Sequence, residues 1–207
     1  MAEDQQAAAW REASNRFHEA LVQERGEGWQ AFWGSEESQR IRYDVFRRYL
    51  PIAGRSLLDV GCGFGDLHGY LEAQGIRPAR YLGVDLDARI VEAARRRRPQ
   101  AQFQVLDLLV EDPPFRPDLI VASGIMAVGF DGYEDYVLRI LRRFHALCKE
   151  GFALNFLSTC TRSPDPRSRY VDPAWLLGLF QREVDWRCVL VHDYRPNDFT
   201  LVHRKQA

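Results

Sequence analysis

The residues with the clearest chemical potential lie in one stretch, Ser56-Leu-Leu-Asp-Val-Gly-Cys-Gly-Phe-Gly-Asp-Leu67. An apolar run carries an acid, Asp59, then Gly61, Gly63 and Gly65 lead into a helical pattern. Glycines at a strand-to-helix turn let the backbone approach a bound molecule closely, at the carboxyl ends of a parallel sheet. Two further acids end later apolar runs: Asp85 closes Tyr81-Leu-Gly-Val-Asp85, and Asp107 follows Phe103-Gln-Val-Leu. A carboxylate at the first position can accept both hydroxyls of a ribose. One at the second can accept from an adenine amino group, with Leu86 and Leu108 covering the ring faces.

The acids also discriminate between nucleotide ligands. A dinucleotide turn reads Gly-x-Gly-x-x-Gly, but the sixth position here is Asp66, and Asp59 precedes the first glycine. Two carboxylates flanking the turn repel a pyrophosphate, which needs positive potential. No Gly-Lys-Ser/Thr follows, so a phosphate-binding P-loop is excluded as well. S-adenosylmethionine has no phosphate and carries a sulfonium and an ammonium, so an acidic turn suits it.

These residues need a scaffold, and the pattern supplies one. Helical spacing over 3–24, with Trp10, Phe17 and Leu21, and again over 36–50, predicts two helices around a glycine-containing break. From Arg55 onward, short apolar runs alternate with helical patterns. Strands are expected at 56–60, 81–84, 103–106, 119–122 and 152–157. Helices are expected at 66–73, 87–98 and 133–148, with Asp87 as an N-cap and Pro99 as a stop. Such alternation implies a parallel sheet covered on both faces. A helix at 173–180 precedes two strands, 184–191 and 199–203, joined by Arg195-Pro-Asn-Asp198 and therefore antiparallel. The expected organisation is one α/β domain over 1–207, with a helical cap at 1–50 and the cofactor-binding core at 55–207.

Composition narrows the class. A chain of 207 residues with 46% apolar residues can bury a sizeable core. The net charge of −1, without basic runs interleaved with aromatics, argues against a broad nucleic-acid surface, and no DNA partner is expected. Cys62, Cys148, Cys160 and Cys188 are far apart, with no metal-ligand spacing, so a reduced cytoplasmic protein without a metal is expected. The acidic N-terminus does not resemble a signal peptide, and no apolar run approaches the ~20 residues of a membrane helix.

On the acid–glycine pattern, the segment from about Arg55 to Leu157 resembles the class I S-adenosylmethionine-dependent methyltransferases with a generic small-molecule methyltransferase domain. The resemblance implies a seven-stranded doubly wound α/β sheet in order 3-2-1-4-5-7-6, with strand 7 antiparallel. It implies that Asp59 and the backbone of Gly61, Cys62, Gly63 and Gly65 hold the methionine moiety, Asp85 the ribose and Asp107 the adenine edge. Ser123-Gly-Ile-Met126 would lie beside the sulfonium, and Arg42 would pair with the methionine carboxylate. The Asp/Asn-Pro-Pro-Tyr and Pro-Cys signatures of DNA methyltransferases are missing, which disfavours base methylation.

Methyl transfer from a sulfonium is an in-line displacement that releases S-adenosylhomocysteine, so alignment and exclusion of water dominate. A hydroxyl or protonated amine acceptor also needs a general base. His192 and Tyr194, at the end of the sixth strand, are the candidates, against the alternative that they only finish a strand. Trp29, Trp33, Met126 and Tyr133 are candidate acceptor contacts, with packing of the cap as the alternative for the tryptophans. His68 reads as structural or cofactor-side, and the Arg95–Arg98 run as a helix end complementing the dipole. The expected activity is methylation of an oxygen or nitrogen on a small metabolite. A protein or RNA methyltransferase is the alternative, and a nicotinamide oxidoreductase or a non-catalytic cofactor-binding module fits less well. The oligomeric state is open.

Overall fold

The computed structural model describes residues 2–206, with side chains from Trp10 onward except that of Trp29. Three helices come first: α1 (Ala2–Arg25), the single turn α2 (Trp29–Phe32) and α3 (Glu36–Tyr49). The core then alternates β1 (Ser56–Val60), α4 (Asp66–Ala73), β2 (Arg80–Asp85), α5 (Ala88–Arg97), β3 (Gln102–Val105), β4 (Leu119–Ala122), α6 (Tyr133–Leu147) and β5 (Gly151–Leu157). It ends with α7 (Pro173–Glu183), β6 (Cys188–Arg195) and β7 (Asp198–Arg204).

The local signals act as their chemistry requires. Ser35 caps α3 by accepting from the Ser38 amide at 3.0 Å, and Asp87 caps α5 by accepting from Arg89 N at 2.8 Å. Asp172 accepts from Ala174 N at 2.8 Å, with Pro173 at the first turn of α7. The all-buried β4, Leu-Ile-Val-Ala, is the continuous apolar run of a strand covered on both faces.

The strands form one sheet in order β3-β2-β1-β4-β5-β7-β6. β1 pairs in parallel with β2 and β4, placing Leu58 beside Leu82 and Ile120. β7 runs antiparallel to both β5 and β6. One face of the sheet is covered by α6 and α7, with Trp10 of α1 against Tyr136 at 4.3 Å. The other is covered by α3, α4 and α5 through residues such as Phe46, Leu71 and Val91. Strand order reverses between β1 and β4, which opens a crevice at their carboxyl ends.

The sixth strand departs from the sequence expectation. It begins at Cys188, not Val184, because Val184 and Asp185 still donate to the Phe180 carbonyl at 3.0 and 3.1 Å. It also continues to Arg195, which pairs directly with Asp198. Between the pairs Val191–Thr200 and Arg195–Asp198, three residues, His192–Tyr194, stand opposite the single Phe199. That bulge re-aims their side chains.

Candidate active site

The crevice holds a cavity of about 430 Å³, roofed by α1 and α2 and floored by the strand ends. Gly61 and Gly63 form its turn with φ of 68° and 53°, backbone that side-chain-bearing residues rarely adopt. A Cβ on Gly61 would collide with the Ile125 side chain, so only glycine lets the two loops close together. Gly63 N donates to Asp85 Oδ2 at 3.0 Å, tying the turn to the end of β2.

Acids concentrate at this end of the cavity. Asp59 is buried beneath the turn and accepts from the Tyr81 hydroxyl at 2.6 Å. Burial pushes its carboxyl up to about 7; the Tyr81 bond opposes this, and the charges of Asp85 and Asp66 reinforce it. Burial likewise raises Asp85, against the pull of His18 and the Gly63 amide. Asp107 Oδ1 accepts from Leu109 N at 2.9 Å, whereas Oδ2 makes no hydrogen bond and faces Arg11 Nε at 3.4 Å. Ser123 Oγ, also in the wall, is buried without a hydrogen-bond partner. A nucleoside carrying positive charge fits this donor set: the unpartnered Ser123 hydroxyl, an Asp107 oxygen met only by the Arg11 charge, the buried Asp59 and half-buried Asp85 at the ends of β1 and β2, and a glycine turn open to close approach.

Of the residues named from the sequence, Asp59, Gly61, Cys62, Gly63, Asp85, Leu86, Asp107, Leu108 and Ser123 line this cavity together. Trp33 and Arg42 line it as well. Gly65 does not: it leads into α4 and faces Phe103, whose Cζ a Cβ would meet at 2.8 Å. Arg42 is committed elsewhere than expected. It is buried, paired with Asp198 and stacked on Trp33 at 4.3 Å, so its charge is already matched by a carboxylate.

Four other expectations are corrected. Met126 is a buried core residue and does not line the cavity. Tyr133 is buried beside it and donates its hydroxyl to the Met126 carbonyl at 2.8 Å. The bulge in β6 sets His192 against Phe199, with ring centroids 5.8 Å apart, outside the cavity wall. Tyr194 hydrogen-bonds Thr200 Oγ1 at 2.9 Å on the opposite face. Neither lines the cavity. The Trp29 side chain lies outside the described residues.

Sequence reasoning missed the roof and the far wall. Ser14, Phe17, His18 and Leu21 of α1 face the cavity, and His18 Nδ1 lies 3.2 Å from Ser14 Oγ. Burial lowers the His18 imidazole, with Asp85 pulling the other way. Their i, i+3, i+4 spacing was visible, but it reads equally as a plain apolar helix face. The wall also includes the apolar Ile125, Phe156 and Leu157 and the charged Asp165, Arg167 and Arg195. Arg167 there is held by Asp165 at 3.0 Å. Arg195 rests 3.5 Å from both Asp198 Oδ2 and Asn197 Oδ1. Asn155 Oδ1 accepts from Gly124 N at 2.7 Å, fixing the loop after β4.

Known proteins agree with this geometry. A family model described as a methyltransferase domain matches residues 58–152. The Mycobacterium tuberculosis protein named "Putative methyltransferase Rv1506c" is 31% identical over 161 residues, 73% of this chain and 94% of that protein. A fatty-acid O-methyltransferase of Mycolicibacterium smegmatis is 35% identical over 68% of this chain, which spans half of that longer protein. Among solved structures, the CcbJ methyltransferase of Streptomyces caelestis superposes with a TM-score of 0.63 at 15% identity, covering 84% of this chain and 94% of that one. Magnesium protoporphyrin IX methyltransferase from Synechocystis, solved with bound S-adenosylhomocysteine, superposes at 0.58 with 14% identity over 81% of each chain. The cofactor is S-adenosylmethionine. With its acid-lined glycine turn at the reversal of a 3-2-1-4-5-7-6 sheet, the chain belongs to the class I S-adenosylmethionine-dependent methyltransferases.

Proposed function

We propose that the enzyme methylates a carboxylate oxygen of a small, largely apolar acid. The observation that carries this reading is that arginines and apolar side chains line the same cavity as the acids. Asp59, Asp66, Asp85 and Asp107 line it together with Arg25, Arg167 and Arg195 and with Ile125, Phe156 and Leu157, Arg167 being paired with Asp165 and Arg195 with Asp198. The acids suit a cationic cofactor, held by Asp59, Asp85, Asp107, Ser123 and the Gly61–Gly63 backbone. That cofactor supplies an electrophilic methyl group on a sulfonium.

The chain's own residues then position and charge-match the acceptor. A carboxylic acid is ionised at neutral pH, since its pKa is ordinarily about 4, so it attacks without surrendering a proton. No general base is required, which accords with a wall whose imidazole, His18, sits at the Asp85 end. Arg195 and Asn197 offer donors to the acceptor's polar end, and the apolar segment excludes water from its body. One carboxylate oxygen gains a bond to the methyl carbon as the carbon–sulfur bond breaks, and the pair of electrons leaves on a neutral thioether. Two relatives support an acid acceptor by name: the fatty-acid O-methyltransferase, and a trans-aconitate 2-methyltransferase of Azoarcus that is 30% identical over 92 residues.

The test is a screen with methyl-labelled cofactor against matched acids, alcohols and amines of equal chain length. Label in the acid products that alkali releases as methanol identifies methyl esters and supports the reading. Alkali-stable label, or turnover of the alcohols or amines alone, overturns it.

A further inference from the structure

At the amino-terminal end of β5, opposite the strand ends that carry the cofactor turn, three residues distant in sequence converge. His145 lies in the last turn of α6, Asp185 just after α7, and His203 in β7. Their ligand-capable atoms all lie within 4.8 Å of one another. His145 Nδ1 is 3.2 Å from His203 Nε2, and Asp185 Oδ2 is 4.0 Å from the same nitrogen. We propose that His145, His203 and Asp185 form a site for a divalent transition-metal ion, of the Zn²⁺ class, that clamps α6 to β7.

The tautomer follows from geometry. His203 Nδ1 lies 2.7 Å from the Arg187 carbonyl oxygen, which can only accept. Nδ1 therefore carries the proton, and the Nε2 lone pair is left facing His145 and Asp185. Fixing one ring nitrogen on a backbone carbonyl is how a metal-binding imidazole is oriented. Two nitrogens on a tetrahedral Zn²⁺, at about 2.0–2.1 Å each, stand about 3.3 Å apart. The observed 3.2 Å matches that spacing, and Asp185 Oδ2, 4.0 Å from His203 Nε2, must move closer to complete the set.

The surroundings hold the ligands in place. Arg187 grips Asp185 through Nε at 3.1 Å and Nη2 at 2.9 Å, so one residue orients both His203 and the carboxylate. A carboxylate oxygen bonded to Nη2 retains a second lone pair. Lys205 Nζ donates to the His145 and Cys148 carbonyls, fixing the end of the helix that presents His145. The cations Arg187 and Lys205 repel a metal, which favours micromolar over tighter binding. His203 is buried against Phe152 and Phe180, while His145 is half-buried and leaves a route and a fourth position for water.

The experiment titrates the full chain with Zn²⁺ alone by calorimetry, comparing wild type with His145→Ala and His145→Gln. Co²⁺ serves as a spectroscopic probe of four-coordinate geometry. One saturable Zn²⁺ site in wild type, a raised melting temperature, and a loss of more than about tenfold in affinity in either folded variant are expected. Wild type that takes up no Zn²⁺, or variants that bind it equally well, overturns the site and shows His145–His203 to be a plain hydrogen bond. Because the readout is metal uptake, neither result bears on the proposed acceptor.

Discussion

Arg42 of α3 and Asp198 of β7, 156 residues apart, meet in a fully buried bidentate ion pair, with Nε–Oδ1 at 3.0 Å and Nη2–Oδ2 at 2.6 Å. The pair joins the helical cap to the sheet, with Arg42 itself in the cavity wall. Removing one partner of such a pair strands the other charge in a low-dielectric site, at a cost of about 3–5 kcal/mol. Asp198→Ala should therefore destabilise the protein by about that amount in urea unfolding. Paired replacement by Arg42→Met and Asp198→Leu should cost clearly less. Equal losses in the single and double variants would show that packing, not charge, dominates here.

How much of this site was legible depends on whether partners lie near one another along the chain. The glycine turn and Asp85 announce themselves because each sits at the end of its own apolar run, and the sheet merely aligns those ends. The Arg42–Asp198 pair could not be read, since no local pattern links an arginine on a helix to an aspartate after a hairpin. His192 was misread for a related reason: a strand assumed regular hides a bulge, and a bulge changes which way a side chain points. The sixth strand was expected to start at Val184. Helical bonds to the Phe180 carbonyl and an Asp185 side chain accepting from Arg187 N at 3.0 Å delay it to Cys188.

His192 thus yields a direct prediction. With its ring against Phe199 and outside the cavity wall, His192→Ala should leave kcat within about twofold of wild type. A fall of a hundredfold or more at unchanged melting temperature would return it to the reaction.

Asp85 is expected to anchor the cofactor ribose. Hydrogen bonds to a charged group contribute about 1.5–3 kcal/mol, so Asp85→Ala should weaken S-adenosylhomocysteine binding by roughly 10- to 150-fold. Some of that loss will be indirect, because Asp85 also holds Gly63 N at 3.0 Å. Asp85→Asn keeps an acceptor for that amide and should recover part of the affinity. Calorimetric affinity unchanged in Asp85→Ala would remove it from the ribose site.

Asp59 gives the cleft a pH dependence. Its carboxyl is raised by burial from an ordinary 3.8 to about 7. A group raised on folding contributes stability that is complete below its unfolded value and fades as the pH climbs through the folded one. The ligand-free protein should therefore lose stability from this group between about pH 4 and pH 7. A bound ammonium or sulfonium favours the carboxylate instead, so cofactor affinity should rise toward about pH 7 and level off above it. Titrations at about pH 6 in two buffers of different ionisation enthalpy should reveal release of up to one proton. Flat affinity with no proton release would mean that Asp59 does not sense the ligand.

Arg195 separates acceptor recognition from cofactor binding. It lines the cavity, and its contacts with Asp198 and Asn197 are long, both 3.5 Å. Loosely held donors can turn to a carboxylate without breaking a strong bond. Arg195→Gln should thus raise KM for an acid acceptor by about tenfold while leaving kcat and cofactor affinity near wild type, the pattern of lost ground-state binding. A matching fall in kcat would place Arg195 at the transition state. Loss of cofactor affinity would instead assign it to the cofactor, and the arginines of the wall would no longer identify an anionic acceptor.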